Sequence, residues 1–156
     1  FVNGAFDKER TEIQAGRNAM RLYREKRFEE ALQAWDDLLA SGPTALNTCR
    51  LAVGRALALY AVDDAQGAYA ALEPAVEEQA PFDVRGPALV SRGILADRLG
   101  LRDEAVGHYQ AALEHFDSRP EFTAFNPMKE TAARGLERSQ AKAPLTISVY
   151  DVGLPN

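Results

Sequence analysis

The chain has 156 residues, which is enough for one domain with a sizeable core. Its composition, 46% hydrophobic and 26% charged, is ordinary for a globular protein, and no apolar run reaches the roughly 18 residues that a membrane-spanning helix needs. The formal net charge of −5 argues against sequence-independent binding of nucleic acid or of an anionic membrane.

The first residues and the cysteine content leave the compartment open. The chain begins FVNGAFDKER, without an initiating Met or the regions of a signal peptide, so we expect a fragment or a processed product. The single Cys49 cannot form an internal disulfide, so it does not decide between cytoplasm and periplasm.

The first predicted helix carries Arg10, Arg17, Arg21 and Arg24 on one side, within an arc of about 60°. We call these four residues the arginine face. Like charges at helical spacing repel by a few tenths of a kcal/mol, and Glu25 can relieve only Arg21. Three interpretations are open. The arginines form a solvated face, they pair with acids of the next helices, or they form an anion-accepting surface.

A helical pattern then recurs with a period of 37 residues. Steps of three, four and three residues place each set on one helix face. The three sets are Phe28, Ala31, Trp35 and Leu38; Ala65, Ala68, Leu72 and Ala75; and Arg102, Ala105, Tyr109 and Ala112. The preceding helices repeat Ala19 and Leu22, Ala56 and Leu59, and Gly93 and Ala96. Small residues beside large ones suit antiparallel helices in close contact, so three helical hairpins are predicted.

Gly and Pro residues mark the ends of these helices. Gly100 stands where the first helix of the third hairpin should end. Pro43 and Pro81 follow the second helices of the first two hairpins, where one helix must stop before another begins.

The last part of the chain predicts a capping helix and a tail. After the break DSRPEFTAFNP, Asn126 is a suitable N-cap and Pro127 a suitable first helical residue, which predicts a capping helix over 127–141. Residues 144–156, PLTISVYDVGLPN, alternate in a strand-like manner and predict a short extended segment. This segment could lie across a groove, pair with another chain in a homo-oligomer, begin a further domain or serve as a linker.

These patterns resemble the tetratricopeptide repeat, a helix-turn-helix unit of about 34 residues. The third unit matches best, in GILADRLGLRDEAVGHYQAAL, whereas Ala65 in the second unit stands where an aromatic residue is usual. The resemblance covers residues 12 to about 117. It implies an all-α solenoid of about seven helices in a domain over 1–143, with repeats over 12–48, 49–85 and 86–120.

The resemblance also implies a partner-binding surface, because the first helix of each unit lines the concave groove in such arrays. With Arg17 from the arginine face, the implied residues are Ile13, Arg17, Met20, Tyr23, Arg24, Arg50, Val53, Leu57, Tyr60, Val90, Ile94, Asp97 and Arg98. Gly16 and Met20 stand where a subtype that clamps the C-terminal carboxylate of chaperones has Lys and Asn, which argues against that subtype.

No catalytic or metal-binding pattern stands out. His108 and His115 are seven residues apart, or roughly 10 Å along a helix, which is too far to ligate one metal ion. No phosphate-binding loop or nucleophile motif occurs. We therefore expect no enzyme, metal or cofactor. The sequence favours a module that binds an acidic peptide or partner domain with an apolar anchor; the alternative is an accessory domain of a larger enzyme or envelope protein.

Overall fold

The computed structural model describes the backbone of residues 2–148 and the side chains of residues 10–148. This part of the chain contains seven α-helices, two short 3-10 helices and no β-strand. The α-helices are α1 (Val2–Arg24), α2 (Phe28–Ala40), α3 (Ala45–Ala61), α4 (Ala65–Ala71), α5 (Phe82–Arg98), α6 (Arg102–Asp117) and α7 (Asn126–Glu137). The predicted all-α class is therefore confirmed.

Each helix packs against its neighbours along the chain, and the odd-numbered helices also touch in succession. α1 contacts both α2 and α3, α3 contacts α4 and α5, and α5 contacts α6 and α7. The odd-numbered helices thus form a row, and most predicted partner-binding residues lie on them.

Three turns with the same backbone geometry separate the helices of the successive pairs. Lys26, Asp63 and Gly100 all have positive φ, of 63°, 65° and 76°, and they are 37 residues apart. After each, the next backbone N–H reaches back five residues, from Arg27 to the Leu22 carbonyl at 2.9 Å and from Leu101 to the Ala96 carbonyl at 2.8 Å. These bonds satisfy carbonyls left free at a helix end. The period predicted from side chains is therefore also a period of the backbone.

The side chains predicted to lie between the paired helices are buried. Ala31, Trp35, Ala105 and Tyr109 are completely buried, as is Leu72 of the second pair. Phe28, Ala65 and Arg102, the first residues of the three predicted sets, are only partly buried, because each begins a helix at the edge of the contact. The predicted core register is confirmed in the first and third pairs. In the second pair Leu72 and Ala75 are buried as predicted, but they follow α4, which ends at Ala71, and Ala75 lies in the 3-10 helix Glu73–Val76.

Glycines on neighbouring helices make room for the two large buried rings. A Cβ on Gly54 of α3 would overlap the Trp35 indole. A Cβ on Gly93 of α5 or on Gly135 of α7 would overlap the Tyr109 ring, which therefore lies between those two helices. Each ring is packed against backbone, an arrangement that only glycine permits.

Two predicted boundaries differ from the structure. α7 ends at Glu137 rather than at 141, and Asn126 is its first helical residue rather than its N-cap. A 3-10 helix, Thr123–Phe125, runs directly into α7, so Asn126 already has helical dihedral angles. The position before it is Phe125, which has no side-chain oxygen to cap the helix.

Candidate functional site

The predicted partner-binding residues divide into three groups by exposure. Arg17, Arg24 and Arg98 are exposed. Those partly buried are Ile13, Met20, Tyr23, Arg50 and Tyr60. Those buried within the described chain are Val53, Leu57, Val90, Ile94 and Asp97. The apolar residues of α3 and α5 in this set therefore contribute to the core of the chain, and the accessible surface is mainly Tyr and Arg with Met20.

The chain's own C-terminal segment lies against one side of α5. We call this side the α5 face; it carries Pro87, Ser91, Ile94 and Arg98 at helical spacing. Ile147 of the tail is only 5% exposed and belongs to the same apolar core as residues of α3 and α5. Leu145 packs against both core clusters of the protein. The described tail residues therefore lie against α5 of their own chain.

Ser91 binds the tail through main-chain groups. Its Oγ accepts hydrogen bonds from the backbone N–H of Thr146 at 2.9 Å and of Ile147 at 3.1 Å. The Thr146 hydroxyl donates to the Pro87 carbonyl at 2.7 Å. The Ser91 hydroxyl is therefore left to donate to Thr146 Oγ1, 2.9 Å away. Since Ser91 is completely buried, these bonds compensate polar groups that have lost water.

Asp97 holds the start of the tail at the other end of α5. Its Oδ2 accepts from the backbone N–H of Gln140 at 2.8 Å and from the Tyr109 hydroxyl at 2.8 Å. Arg102 donates to both Asp97 oxygens, at 2.9 and 3.0 Å, and also to the Gly135 carbonyl. This network joins α5, α6, α7 and the tail. Burial, followed by the hydrogen bond to Asp97, raises the pKa of Tyr109.

Arg98 continues the path of the tail between these two anchors. Its Nη2 donates to the Ala143 carbonyl at 3.5 Å, and its guanidinium lies 5.3 Å from the centre of the Tyr60 ring on α3. The tail therefore runs from the C-terminal end of α5 toward its N-terminal end. Residues 145–148 are not helical, and residues 149–156 of the predicted extended segment lie outside the described part.

The arrangement can bind an extended chain by its backbone. Ser91 Oγ accepts two backbone N–H groups, and the Pro87 carbonyl accepts a side-chain hydroxyl. The Ile147 side chain is buried in the apolar core beside them. Main-chain hydrogen bonds supply affinity that depends little on sequence, and side-chain sites supply specificity. The sequence pattern did not predict Ser91 or Pro87 as binding residues. Their spacing, which places them on the same helix face as Ile94 and Arg98, could have indicated them.

Tyr23 and Arg50 have roles in packing as well as exposed atoms. The Tyr23 ring meets Phe28 edge-on with centroids 5.2 Å apart and lies 6.0 Å from Trp35. Burial raises the pKa of Tyr23. Arg50 lies 3.8 Å from the Asp83 carboxylate. Of the partly buried residues, Ile13, Met20 and Tyr60 are thus the better candidates for contact with a partner.

The four arginines of the predicted arginine face are all exposed. Arg21 pairs with Glu25, the residue that follows α1, at 2.9 Å and with the Asn18 side chain of α1 at 2.7 Å. This is the local pairing expected from the spacing. The positions lie on the side of α1 opposite Ala19, which is completely buried.

The two histidines bind protein groups. His108 Nε2 is 2.8 Å from the Tyr69 hydroxyl, which donates to Glu104 at 2.7 Å and so joins α4 to α6. Burial and the bond to Glu104 raise the pKa of Tyr69 to about 12. Among the described residues, no group of three His, Cys, Asp or Glu side chains is placed to hold a metal ion.

No protein-family model, curated protein or solved structure matches this chain. The resemblance to the tetratricopeptide repeat therefore stays a prediction that rests on the residue pattern. None of the helices in the described part has both the length and the apolar character needed to cross a lipid bilayer.

Proposed function

We propose that the chain is a non-enzymatic protein-interaction module, built as a tetratricopeptide-like array, which binds an extended peptide along the row of α1, α3 and α5. The observation that carries this proposal is the tail itself. Residues 145–148 lie on α5 with two backbone N–H groups bound to Ser91 and with Ile147 buried beside it. A partner would use the same kind of contact on the neighbouring part of the row.

The turns and the helix order support the array. Positive φ recurs every 37 residues at Lys26, Asp63 and Gly100, and odd-numbered helices touch in succession. In such an arrangement each hairpin presents its first helix to the same side. Met20 and Tyr60 would then be neighbouring anchor sites, with Arg24 and Arg98 at their margins.

The partner that fits is a peptide with an acidic stretch beside an apolar anchor. Tyr, Met and Arg are enriched in protein interfaces, and arginines at the margin would guide an acidic segment. The apolar anchor would pack against Met20 and the ring of Tyr60. Because the Tyr60 ring already lies beside the Arg98 guanidinium, an acidic residue next to the anchor would meet a positioned cation.

The test is selection of peptides from a random displayed library on the full chain, followed by fluorescence anisotropy with the selected peptide. We expect acidic-apolar peptides, and binding about tenfold or more weaker in Tyr60→Ala. Leu101→Ala is the control, since it shortens an exposed apolar side chain that lies in a turn away from Tyr60, and it should bind normally. Equal affinity in both variants, or no selected peptide, would contradict the proposal.

The role of the arginine face is tested by charge reversal. Arg17→Glu with Arg24→Glu should slow association with the acidic peptide and reduce its dependence on salt, with little change in melting temperature. A lowered melting temperature with an unaltered association rate for the folded fraction would instead assign these arginines to pairing within the fold.

A second candidate is an accessory domain of a larger enzyme or envelope protein, which holds an adjoining segment of its own chain. The bound tail favours it, because residues 143–147 already contact Arg98, Pro87 and Ser91 of the α5 face. In that case Ser91→Ala should release the tail, and limited proteolysis should cut within 141–148 faster than in the unaltered chain. Faster cutting without any selected peptide at Tyr60 would favour this second candidate over the first.

A further inference from the structure

A cavity of about 450 Å³ lies between α1 and α2, away from the row of partner-binding residues. Its wall includes Ala15 of α1 and Ala34 and Leu38 of α2, so much of it is apolar. It also includes Glu12, and Asp37 contributes a second carboxylate. Among residues 10–148, whose side chains the structure describes, none of those lining the cavity is basic. The size is within the range of small-ligand sites.

The Glu12 carboxylate is buried and only half satisfied. Its residue is 4% exposed, and its Oε2 accepts a hydrogen bond from the Asn47 side chain at 2.9 Å. Among the described residues, its Oε1 has no hydrogen-bond partner. A buried carboxylate with one neutral donor has lost much of its hydration without a counter-charge, and buried charges are normally paired. A cation at this oxygen would supply the counter-charge.

The exposed carboxylate of Asp37 adds a second negative charge to the cavity wall. Asp37 has a hydrogen bond from Gln33 at 2.8 Å but remains solvent-exposed. The two carboxylates give this part of the cavity a negative potential, which favours entry of a cation.

We infer that this cavity binds an ammonium group on a short aliphatic stem, as in a lysine side chain. The ammonium would donate to Glu12 Oε1, and its methylene stem would lie against Ala15, Ala34 and Leu38. An ammonium is preferred to a guanidinium because only one Glu12 oxygen is free, whereas arginine binds carboxylates best through both oxygens. The site is independent of the proposed peptide surface, because Ala15 and Ile13 point to nearly opposite sides of α1.

The test uses the full chain and NMR shift titration with four probes: Nα-acetyl-lysine methylamide, its Nε-acetylated form, Nα-acetyl-arginine methylamide and n-butylammonium. The lysine probe should shift resonances of Ala15, Ala34 and Leu38, while the Nε-acetylated form should not. Equal binding of the acetylated form, or tighter binding of arginine, would overturn the inference. Comparison of the lysine probe with n-butylammonium then distinguishes a peptide side chain from a free amine as the natural source.

Two variants test the residues. Glu12→Gln keeps the size and the acceptor for Asn47 but removes the charge, so lysine binding should fall by about tenfold or more. The melting temperature should hold or rise, since an uncompensated buried charge is removed. Glu29→Gln, an exposed change on α2 outside the cavity lining, is the control and should bind normally. A fall in melting temperature with no probe bound by the unaltered chain would show that Glu12 is paired within the protein and would overturn the inference.

Ala34→Met provides a variant that leaves the carboxylate untouched. The longer side chain should fill the cavity and abolish binding of the lysine probe while the protein stays folded. Unchanged lysine binding in this variant would place the ammonium elsewhere and would also overturn the inference.

Discussion

Trp35 in the first hairpin and Tyr109 in the third occupy equivalent positions, 74 residues apart, yet their polar atoms have different surroundings. Both rings are completely buried and both lie against a glycine of the following odd-numbered helix. Among the described residues, Trp35 Nε1 has no hydrogen-bond partner. The Tyr109 hydroxyl donates to Asp97, which also binds Arg102 and the start of the tail. The two hairpins therefore share the packing of a large ring against glycine, whereas, within the described part of the chain, the polar network is present only in the third, where the tail and α7 attach.

The largest expected effect comes from removal of either ring. Trp35→Ala should lower the free energy of unfolding by about 3–5 kcal/mol, because it opens a cavity between α2 and Gly54 of α3. Tyr109→Ala should cost at least as much, since it also leaves Asp97 without one donor. Urea denaturation measures both. Phe122→Ala is the control, because Phe122 is 44% exposed and should cost much less. In the unaltered chain, fluorescence typical of a solvated indole would contradict the burial of Trp35.

The glycines under the rings should be next in effect. Gly54→Ala and Gly135→Ala place a methyl group into Trp35 and Tyr109 respectively, and each should cost about 1–3 kcal/mol. Gly107 is the matched control: it lies within α6, is exposed and has open space around its Cβ position. Gly107→Ala should therefore stabilise by up to about 1 kcal/mol through helix propensity. A similar melting temperature for all three variants would mean that the rings do not require glycine.

Substitutions in the three hairpin turns should have smaller effects on stability, and in opposite directions at Gly100 and at the two non-glycine positions. Gly100→Ala should cost about 1–2 kcal/mol because alanine is strained at positive φ. Lys26→Gly and Asp63→Gly should each stabilise by up to about 1 kcal/mol, since they relieve that strain against the greater backbone entropy of glycine. Differential scanning calorimetry of the three variants measures this. Destabilisation by both glycine substitutions would show that the side chains of Lys26 and Asp63 contribute more than the strain costs.

The register of the core could be predicted from sequence because the period of small and large residues is a direct consequence of helix packing. Ala31, Trp35, Ala105 and Tyr109 repeat the same steps, and all are buried. The positive φ of Lys26 had no local signal, since neither Lys nor its neighbours favour the left-handed region. It could be inferred only from its distance to Gly100.

The docking of the tail was left open by the sequence for a different reason. Ser91 and Ile147 are 56 residues apart in sequence, and a single serine in an apolar helix does not indicate its partner. The alternation from Leu145 onward predicted an extended segment, but alternation is equally compatible with pairing to another chain. The orphan oxygen of Glu12 likewise depends on Asn47, which is 35 residues away. Long-range polar contacts of this kind have no periodic signature.

The smallest expected effect is a dependence of stability on pH, from the two histidines of α6, which have different partners. His115 accepts from Arg85 at 3.1 Å through Nδ1 and is 2.9 Å from the Phe82 carbonyl through Nε2, so the neutral ring with a proton on Nε2 satisfies both contacts. Its ring stacks on Phe82 with centroids 4.3 Å apart. Burial, together with Arg85 and Arg119, lowers the pKa of His115. Burial and Arg92 likewise lower the pKa of His108.

Because both histidines have a lowered pKa in the folded state, the unfolded chain binds more protons at mildly acidic pH. Stability should therefore be complete above about pH 6.5, the ordinary histidine value, and should fall as the pH drops below it. His115→Gln, which keeps a polar group without the titration, should reduce the fall in melting temperature between about pH 7 and pH 5. His108→Gln should remove a separate part, because its partner is Tyr69 rather than Arg85. Thermal unfolding of the single and double variants across this range measures the two contributions. A double variant as sensitive to pH as the unaltered chain would assign the dependence to carboxylates instead.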